Sequence, residues 1–171
     1  MTNFLAGHIS TPDSVSAWAP KLRDRFDPPL LSTDSELESG AIHTQSIGLS
    51  TQIGLLRCWR AVPHVDDDVP EWTALFVLQS AGHQLGTANH IPKGTSELSR
   101  KPGTRRQPHI YVPLIVGQIV LFNAHRTHWM DAVPGKKIMA AAFFDFPVFP
   151  SEAAVLSRVE KDCAAALEKT Q

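Results

Sequence analysis

The chain has 171 residues, of which 43% are hydrophobic and 19% are charged, and its formal net charge at pH 7 is −1. These values are typical of a single globular domain, 1–171, built around one hydrophobic core. A nearly neutral chain excludes a chain-wide attraction to nucleic acid or to an anionic membrane, so any nucleic-acid contact would have to be local.

The cysteines and the N-terminus indicate the compartment. Cys58 and Cys163 lie far apart without C-x-x-C spacing, which favours two core thiols in a reducing environment. The first twenty residues lack the basic and apolar pattern of a leader, and the longest apolar run, 138–144, is too short to span a bilayer. We therefore expect a cytoplasmic protein without a membrane contact.

The N-terminal segment, 1–40, is predicted to form one or two short helices followed by a loop, because polar clusters and prolines fill positions 11–39. Pro20 would interrupt any longer helix. From position 41 the pattern changes to short β-favouring runs at about 41–48, 53–62, 72–80, 84–89, 109–116, 117–123, 128–133 and 137–146. About eight strands within 41–146, without crossover helices, predict a sandwich or barrel and exclude a parallel doubly wound sheet.

After Pro150, residues 151–170 predict an amphipathic helix that packs on the β unit. Ser151 suits the N-cap and Glu152 suits the positive end of the helix dipole. The apolar side chains that follow recur at helical spacing: Leu156, Val159, Cys163 and Leu167.

Between the strands lies a segment, 91–107, that contains five basic residues and one acidic residue, together with two glycines and two prolines. We call it the basic segment. A loop of this length inside a compact domain is often a lid or a binding element, although it can also be a solvated connection. It would be the place for an anionic substrate or a local nucleic-acid contact, with Arg105 and Arg106 as candidate substrate-binding residues.

The sequence His64-Val65-Asp66 follows an apolar run and Pro63. Side chains two positions apart on a strand point to the same side, and a second strand can bring His128 to that side. Two imidazoles and one carboxylate on one face of a divalent metal leave the opposite face open, which is the arrangement of non-haem Fe(II) oxygenases. The alternatives are that residues 66–68 form only a solvated acidic turn, and that His125 rather than His128 is the third ligand.

The segment from Gly117 to His128 and the turn after it carry a family pattern. A glycine opens an apolar strand that contains Phe122, a histidine stands eleven positions after the glycine, and Val133, Gly135 and Lys137 follow. In these features residues 50–146 resemble the Fe(II)- and 2-oxoglutarate-dependent oxygenases, especially the prolyl-hydroxylase-like branch.

The resemblance implies an all-β fold with peripheral helices, namely the double-stranded β-helix or cupin-like jelly roll. It also implies that His64, Asp66 and His128 bind Fe(II) and that Lys137 pairs with the 5-carboxylate of 2-oxoglutarate. Lysine stands where the family more often has arginine, and the adjacent Lys136 is the alternative partner.

Further site residues are less well defined by the pattern. Arg57, Asn123 and Arg126 are candidates for holding the other end of 2-oxoglutarate. Trp129 either walls a substrate pocket or belongs to the core. His83, His90 and His109 are expected to be surface or hydrogen-bonded histidines rather than ligands.

The function implied by the resemblance is hydroxylation, or oxidative demethylation, of a substrate at the expense of O2 and 2-oxoglutarate. Fold alone does not decide function, so two alternatives stay open. One is a cupin-like metal-binding jelly roll without 2-oxoglutarate chemistry, acting as an isomerase or ligand-binding module. The other is a non-catalytic binding protein.

Overall fold

A computed structural model of the chain describes residues 6–26, 41–47, 51–88 and 109–168. The loop predicted after the N-terminal helices and the basic segment, with Arg105 and Arg106, therefore lie outside the described residues. His90 also lies outside them.

The described strands form two antiparallel sheets. The large sheet contains β1 (Ala6–Ile9), β2 (Ala41–Ile47), β3 (Thr51–Cys58), β5 (Trp72–Gln79), β8 (Ile119–Asn123) and β10 (Met139–Phe146). The small sheet contains β4 (Ala61–His64), β6 (Gln84–Ala88), β7 (His109–Pro113) and β9 (His128–Met130). The spatial order is β1-β8-β5-β10-β3-β2 in the large sheet and β4-β9-β6-β7 in the small one.

From β3 to β10 the chain passes repeatedly from one sheet to the other. Strands β3, β5, β8 and β10 belong to the large sheet, and β4, β6, β7 and β9 lie in the small sheet. Two four-stranded layers connected in this way form a jelly roll, with β1 and β2 extending the large layer at its two edges. The predicted all-β fold with peripheral helices is confirmed.

The large sheet is covered on both faces. Phe76 and Phe144 face a cluster that includes Val155 of the C-terminal helix, whereas Val77 and Met139 face the small sheet. Neighbouring residues of β5 thus contribute to different halves of the core, because side chains alternate along a strand. This explains why the predicted strands 72–80 and 137–146 are largely apolar and do not alternate between apolar and polar residues.

Helices cover the outer face of the large sheet. They are α1 (Asp13–Ser16), α2 (Trp18–Phe26) and α3 (Glu152–Glu168). Pro20 lies in the first turn of α2, where a missing N–H costs no hydrogen bond. Ser151 caps α3 as predicted, because its Oγ accepts a hydrogen bond from the Ala154 N–H at 3.1 Å. Within the described ranges, no helix has the length and apolarity that a bilayer span requires.

One predicted strand, 53–62, is wrong as a single element. The chain forms β3 up to Cys58, bends at Trp59 and Arg60, and continues as β4 from Ala61 in the other sheet. Both strands contribute apolar side chains to the same core, so hydrophobicity continues through the bend and does not reveal it. Strand β1 was also missed, because four residues are too few to show a period.

Candidate metal centre

The crossing from β3 to β4 carries His64 to the small sheet, where β4 pairs with β9. His64 lies directly opposite His128 in this antiparallel ladder. Asp66 follows just beyond β4, and its N–H donates to the carbonyl of Ala124 at 2.9 Å. A cross-strand pair and an anchored carboxylate therefore converge at one end of the barrel, as the sequence pattern predicts.

The three side chains are close enough to share one ion. The Nε2 atom of His64 lies 3.6 Å from Oδ1 of Asp66, and the Nε2 atom of His128 lies 3.2 Å from Oδ2. The two ring centroids are 4.2 Å apart. One ligand atom from each of the three residues falls within 4.8 Å of the others. His128 is buried, whereas His64 and Asp66 are partly exposed, so the group opens on one side.

Main-chain carbonyls orient both imidazoles. Nδ1 of His64 lies 2.6 Å from the carbonyl oxygen of Val62, and Nδ1 of His128 lies 2.8 Å from that of Arg126. A carbonyl oxygen can only accept, so each Nδ1 carries the proton and donates it. In the neutral ring, Nε2 then presents its lone pair to the site, which is the tautomer that metal-binding histidines adopt.

The carboxylate of Asp66 completes the donor set. The pKa of Asp66 is lowered chiefly by a hydrogen bond from His128 and further by the nearby histidine charges, although burial opposes this shift. Because Nδ1 of His128 already donates to a carbonyl, a hydrogen bond from its Nε2 to Asp66 requires a second proton on the ring. A divalent cation between the two Nε2 atoms and the carboxylate would take the place of that proton. Imidazole nitrogen and carboxylate oxygen suit Fe(II) and similar divalent ions, so the residues present fit the predicted metal.

His125 lies apart from this group. Its ring is exposed, and its Nε2 lies 2.7 Å from the carbonyl oxygen of Val69. The main-chain N–H of His125 donates to Oδ1 of Asn123. In the part of the chain that the structure describes, the only grouping of potential metal ligands contains His64, Asp66 and His128. The geometry therefore favours His128 over His125 as the third ligand.

A cavity of about 610 Å³ begins at these ligands and extends between the two sheets. Most of its wall is apolar, with Leu75, Phe122, Met130 and Met139 among the contributing residues. Apart from the three ligands, its polar lining residues are Asp68, Thr73 and Asp145. A largely apolar pocket with few polar groups is typical of a small-molecule site.

Thr73 and Asp145 are not among the residues predicted from the sequence. A signal was present, since Asp145 interrupts the apolar run of β10. Its partner was not visible, because Thr73 stands 72 residues earlier and becomes a neighbour only through the pairing of β10 with β5.

The residues predicted to hold 2-oxoglutarate do not line the described cavity. The Lys137 side chain is exposed in the segment before β10, and Arg57 is partly buried on β3. Asn123 is buried and donates from its side-chain amide to Glu71 at 3.0 Å. The Nζ of Lys136 lies 4.8 Å from the ring centroid of Trp59. The backbone of Lys136 has a positive φ of 52°.

Trp129 is buried next to His128 and is one of the cavity-lining residues. Its indole nevertheless lies over Gly86, its partner on β6, and meets the ring of Tyr111 edge-on at 6.0 Å. Because side chains alternate along β9, this is the face of the strand opposite to the imidazole of His128.

No protein-family model matches the sequence, and no curated protein matches it. Solved structures do resemble the fold. The non-heme alpha-ketoglutarate-dependent carbocyclase SnoK from nogalamycin biosynthesis is 12% identical with a TM-score of 0.54, covering 82% of this chain and 80% of SnoK. The corresponding epimerase SnoN is 15% identical with a TM-score of 0.52, covering 82% of this chain and 77% of SnoN.

AviO1 from Streptomyces viridochromogenes is similar as well, at 14% identity and a TM-score of 0.50, covering 86% of this chain and 92% of AviO1. Alpha-ketoglutarate is another name for 2-oxoglutarate. At such identities the likeness concerns the fold, and at that level the predicted resemblance to 2-oxoglutarate-dependent oxygenases is confirmed.

Proposed function

We propose that the protein is an Fe(II)- and 2-oxoglutarate-dependent oxygenase that hydroxylates, or oxidatively demethylates, a small organic substrate. The observation that carries this proposal is the convergence of His64, Asp66 and His128, with both Nε2 lone pairs facing the carboxylate. Solved structures of similar fold support it, since two of them are described as alpha-ketoglutarate-dependent enzymes.

In this proposal Nε2 of His64, Nε2 of His128 and a carboxylate oxygen of Asp66 hold the metal on one side. When bound, Fe(II) with 2-oxoglutarate and O2 supplies the oxidant for an unactivated C–H bond, and 2-oxoglutarate is converted to succinate and CO2. The protein's own task is positional. The apolar wall around Leu75 and Phe122 keeps water away and holds the substrate beside the ligands.

We assign the 5-carboxylate of 2-oxoglutarate to Lys137. Lys137 is exposed before β10 begins at Met139, whose side chain lines the cavity. If β10 extended by two residues, Lys137 would lie on the same face of the strand as Met139, toward the cavity. Lys136 has the opposite parity and packs over Trp59. Both observations favour Lys137 over its neighbour.

The proposal is tested by following 2-oxoglutarate and succinate by NMR in aerobic solution with Fe(II) and ascorbate. Without its substrate, an enzyme of this class still decarboxylates 2-oxoglutarate slowly, so the wild-type chain should form succinate in an Fe(II)-dependent manner. His64→Ala should lose this activity, whereas His125→Ala should keep it. Equal succinate formation by wild type and His64→Ala would overturn the assignment.

A second candidate is a metal-binding jelly roll that does not use 2-oxoglutarate. One observation favours it, namely that the described part of the cavity wall contains no lysine or arginine to pair with the 5-carboxylate. Such a protein would bind a divalent metal stoichiometrically, but 2-oxoglutarate would change neither its spectrum nor its stability.

A further inference from the structure

A hydrogen-bonded polar pair stands inside the cavity on the large sheet. Thr73 on β5 and Asp145 on β10 are direct cross-strand partners, and both line the cavity. The Thr73 hydroxyl donates to Oδ1 of Asp145 at 2.9 Å. The hydrogen bond fixes the orientation of the carboxylate and uses the only hydrogen that the hydroxyl can donate.

Among the described residues, no cationic side chain contacts this carboxylate. Arg158 comes nearest in the electrostatic sense, but its Nη1 donates to the main-chain oxygen of Asp145 and its Nε to Asp162. Within the described residues, no lysine or arginine forms an ion pair with the Asp145 side chain. Burial raises the pKa of Asp145 above its usual value; the Thr73 hydrogen bond and the charge of Arg158 oppose this shift, and the charge of Asp66 adds the smallest contribution to it.

The charge of the described wall has one sign. Asp66, Asp68 and Asp145 line the cavity, and no lysine or arginine does. Asp66 is committed to the proposed metal, and Asp68 is exposed at the mouth. Asp145 therefore remains as the charged group next to the apolar wall formed by Leu75 and Phe143.

We propose that Asp145 binds a protonated amine of the substrate, so that the substrate class is an apolar molecule that carries a basic nitrogen. An ammonium group would donate a charge-assisted hydrogen bond to the carboxylate, whose Oδ1 is already held by Thr73. The apolar remainder of the molecule would fill the space between the sheets. The inference rests on the proposed function only in taking this cavity as the substrate site.

The basic segment predicts the opposite, an anionic substrate. That segment lies outside the described residues, whereas Thr73 and Asp145 belong to strands β5 and β10 and line the same cavity as the three metal-ligand candidates. The two expectations differ in sign, so one matched series of probes decides between them.

The probes are 4-phenylbutylamine, 4-phenylbutan-1-ol and 4-phenylbutyrate, which share a phenyl group and a four-carbon chain. Their dissociation constants are measured by ligand-observed NMR with the full chain and no added metal, so the result does not depend on iron or 2-oxoglutarate. We expect the amine to bind about tenfold or more tightly than the alcohol, and the carboxylate to bind most weakly.

Asp145→Asn keeps the shape and the Thr73 hydrogen bond but removes the charge, and it should abolish the preference for the amine. Asp67→Asn makes the same change in net charge at an exposed position beside the ligands that does not line the cavity, and it should keep the preference. Circular dichroism of both variants verifies that they fold.

Two outcomes would overturn the proposal: tightest binding of the carboxylate, or a preference for the amine that is unchanged in Asp145→Asn. If the unchanged preference is lost in Asp66→Asn, the amine binds at the metal-ligand group instead. Failure of the proposed function would show differently, as an absence of Fe(II)-dependent succinate formation with amine binding intact.

Discussion

The imidazoles of His64 and His128 receive their orientation from main-chain carbonyls two residues earlier, at Val62 and Arg126. Since the acceptors belong to the backbone, the orientation does not depend on the identity of the neighbouring side chains. Each imidazole is thus held by a carbonyl of its own chain segment. The H-x-D pattern and the spacing from Gly117 predicted which residues meet, but the carbonyl contacts depend on local backbone conformation that sequence patterns do not reveal.

The proposed role of Lys137 in binding 2-oxoglutarate can be tested by substitution. A charge-assisted contact with the 5-carboxylate is worth roughly 1.5–3 kcal/mol, or about a ten- to hundredfold change in affinity. Lys137→Ala should therefore raise the KM for 2-oxoglutarate by about that factor in the succinate assay. Lys136→Ala is the matched control and should have a small effect, because this side chain packs over Trp59. Equal and small effects of both substitutions would remove the assignment.

At the scale of secondary-structure elements, a cross-strand glycine makes room for one wall of the cavity. Phe143 on β10 pairs with Gly54 on β3, and a Cβ at position 54 would lie 2.1 Å from Cζ of the phenyl ring. The ring therefore lies flat against the backbone of β3. Leu75, opposite Phe143 on β5, lines the same side of the cavity.

Gly54→Ala should force the Phe143 ring away from β3 and into the cavity. We expect a loss of stability of roughly 1–3 kcal/mol, which is typical of overpacking, and weaker binding of the 4-phenylbutylamine probe. Thermal and denaturant unfolding measure the first effect, and the NMR titration measures the second. Adding Phe143→Leu removes the ring and should recover part of the stability as a coupling between the two sites. Independent, additive effects would show that the ring does not depend on the glycine.

Some strands and helices could be predicted from sequence patterns and others could not. The short apolar runs from position 41 predicted a sandwich or barrel and the apolar spacing after Pro150 predicted α3, because both depend on local period and turn residues; the jelly roll itself was implied by the family resemblance. The division of 53–62 into β3 and β4 was missed, since both halves face one core. The pairing of Thr73 with Asp145 was missed as well, because it depends on the register of β5 against β10.

At the scale of the whole molecule, the large sheet separates two tasks. Its outer face packs against the helices through residues such as Phe76 and Phe144, and its inner face carries Leu75, Phe143 and Asp145 toward the cavity. The residues that pack against the helices therefore do not contact His64, Asp66 or His128. The paired strands β4 and β9 of the small sheet place His64 and His128 at the cavity.

The most direct test of the central claim is an anaerobic titration of the Fe(II)-loaded chain with 2-oxoglutarate, followed by visible absorption. If the two histidines and Asp66 hold Fe(II) and leave its other face open, a weak charge-transfer band should grow to saturation at one 2-oxoglutarate per chain. The band should be absent in Asp66→Ala, which should also fail to retain iron. A wild-type chain that holds one iron but shows no band at saturating 2-oxoglutarate would contradict the account and favour a metal-binding jelly roll of another function.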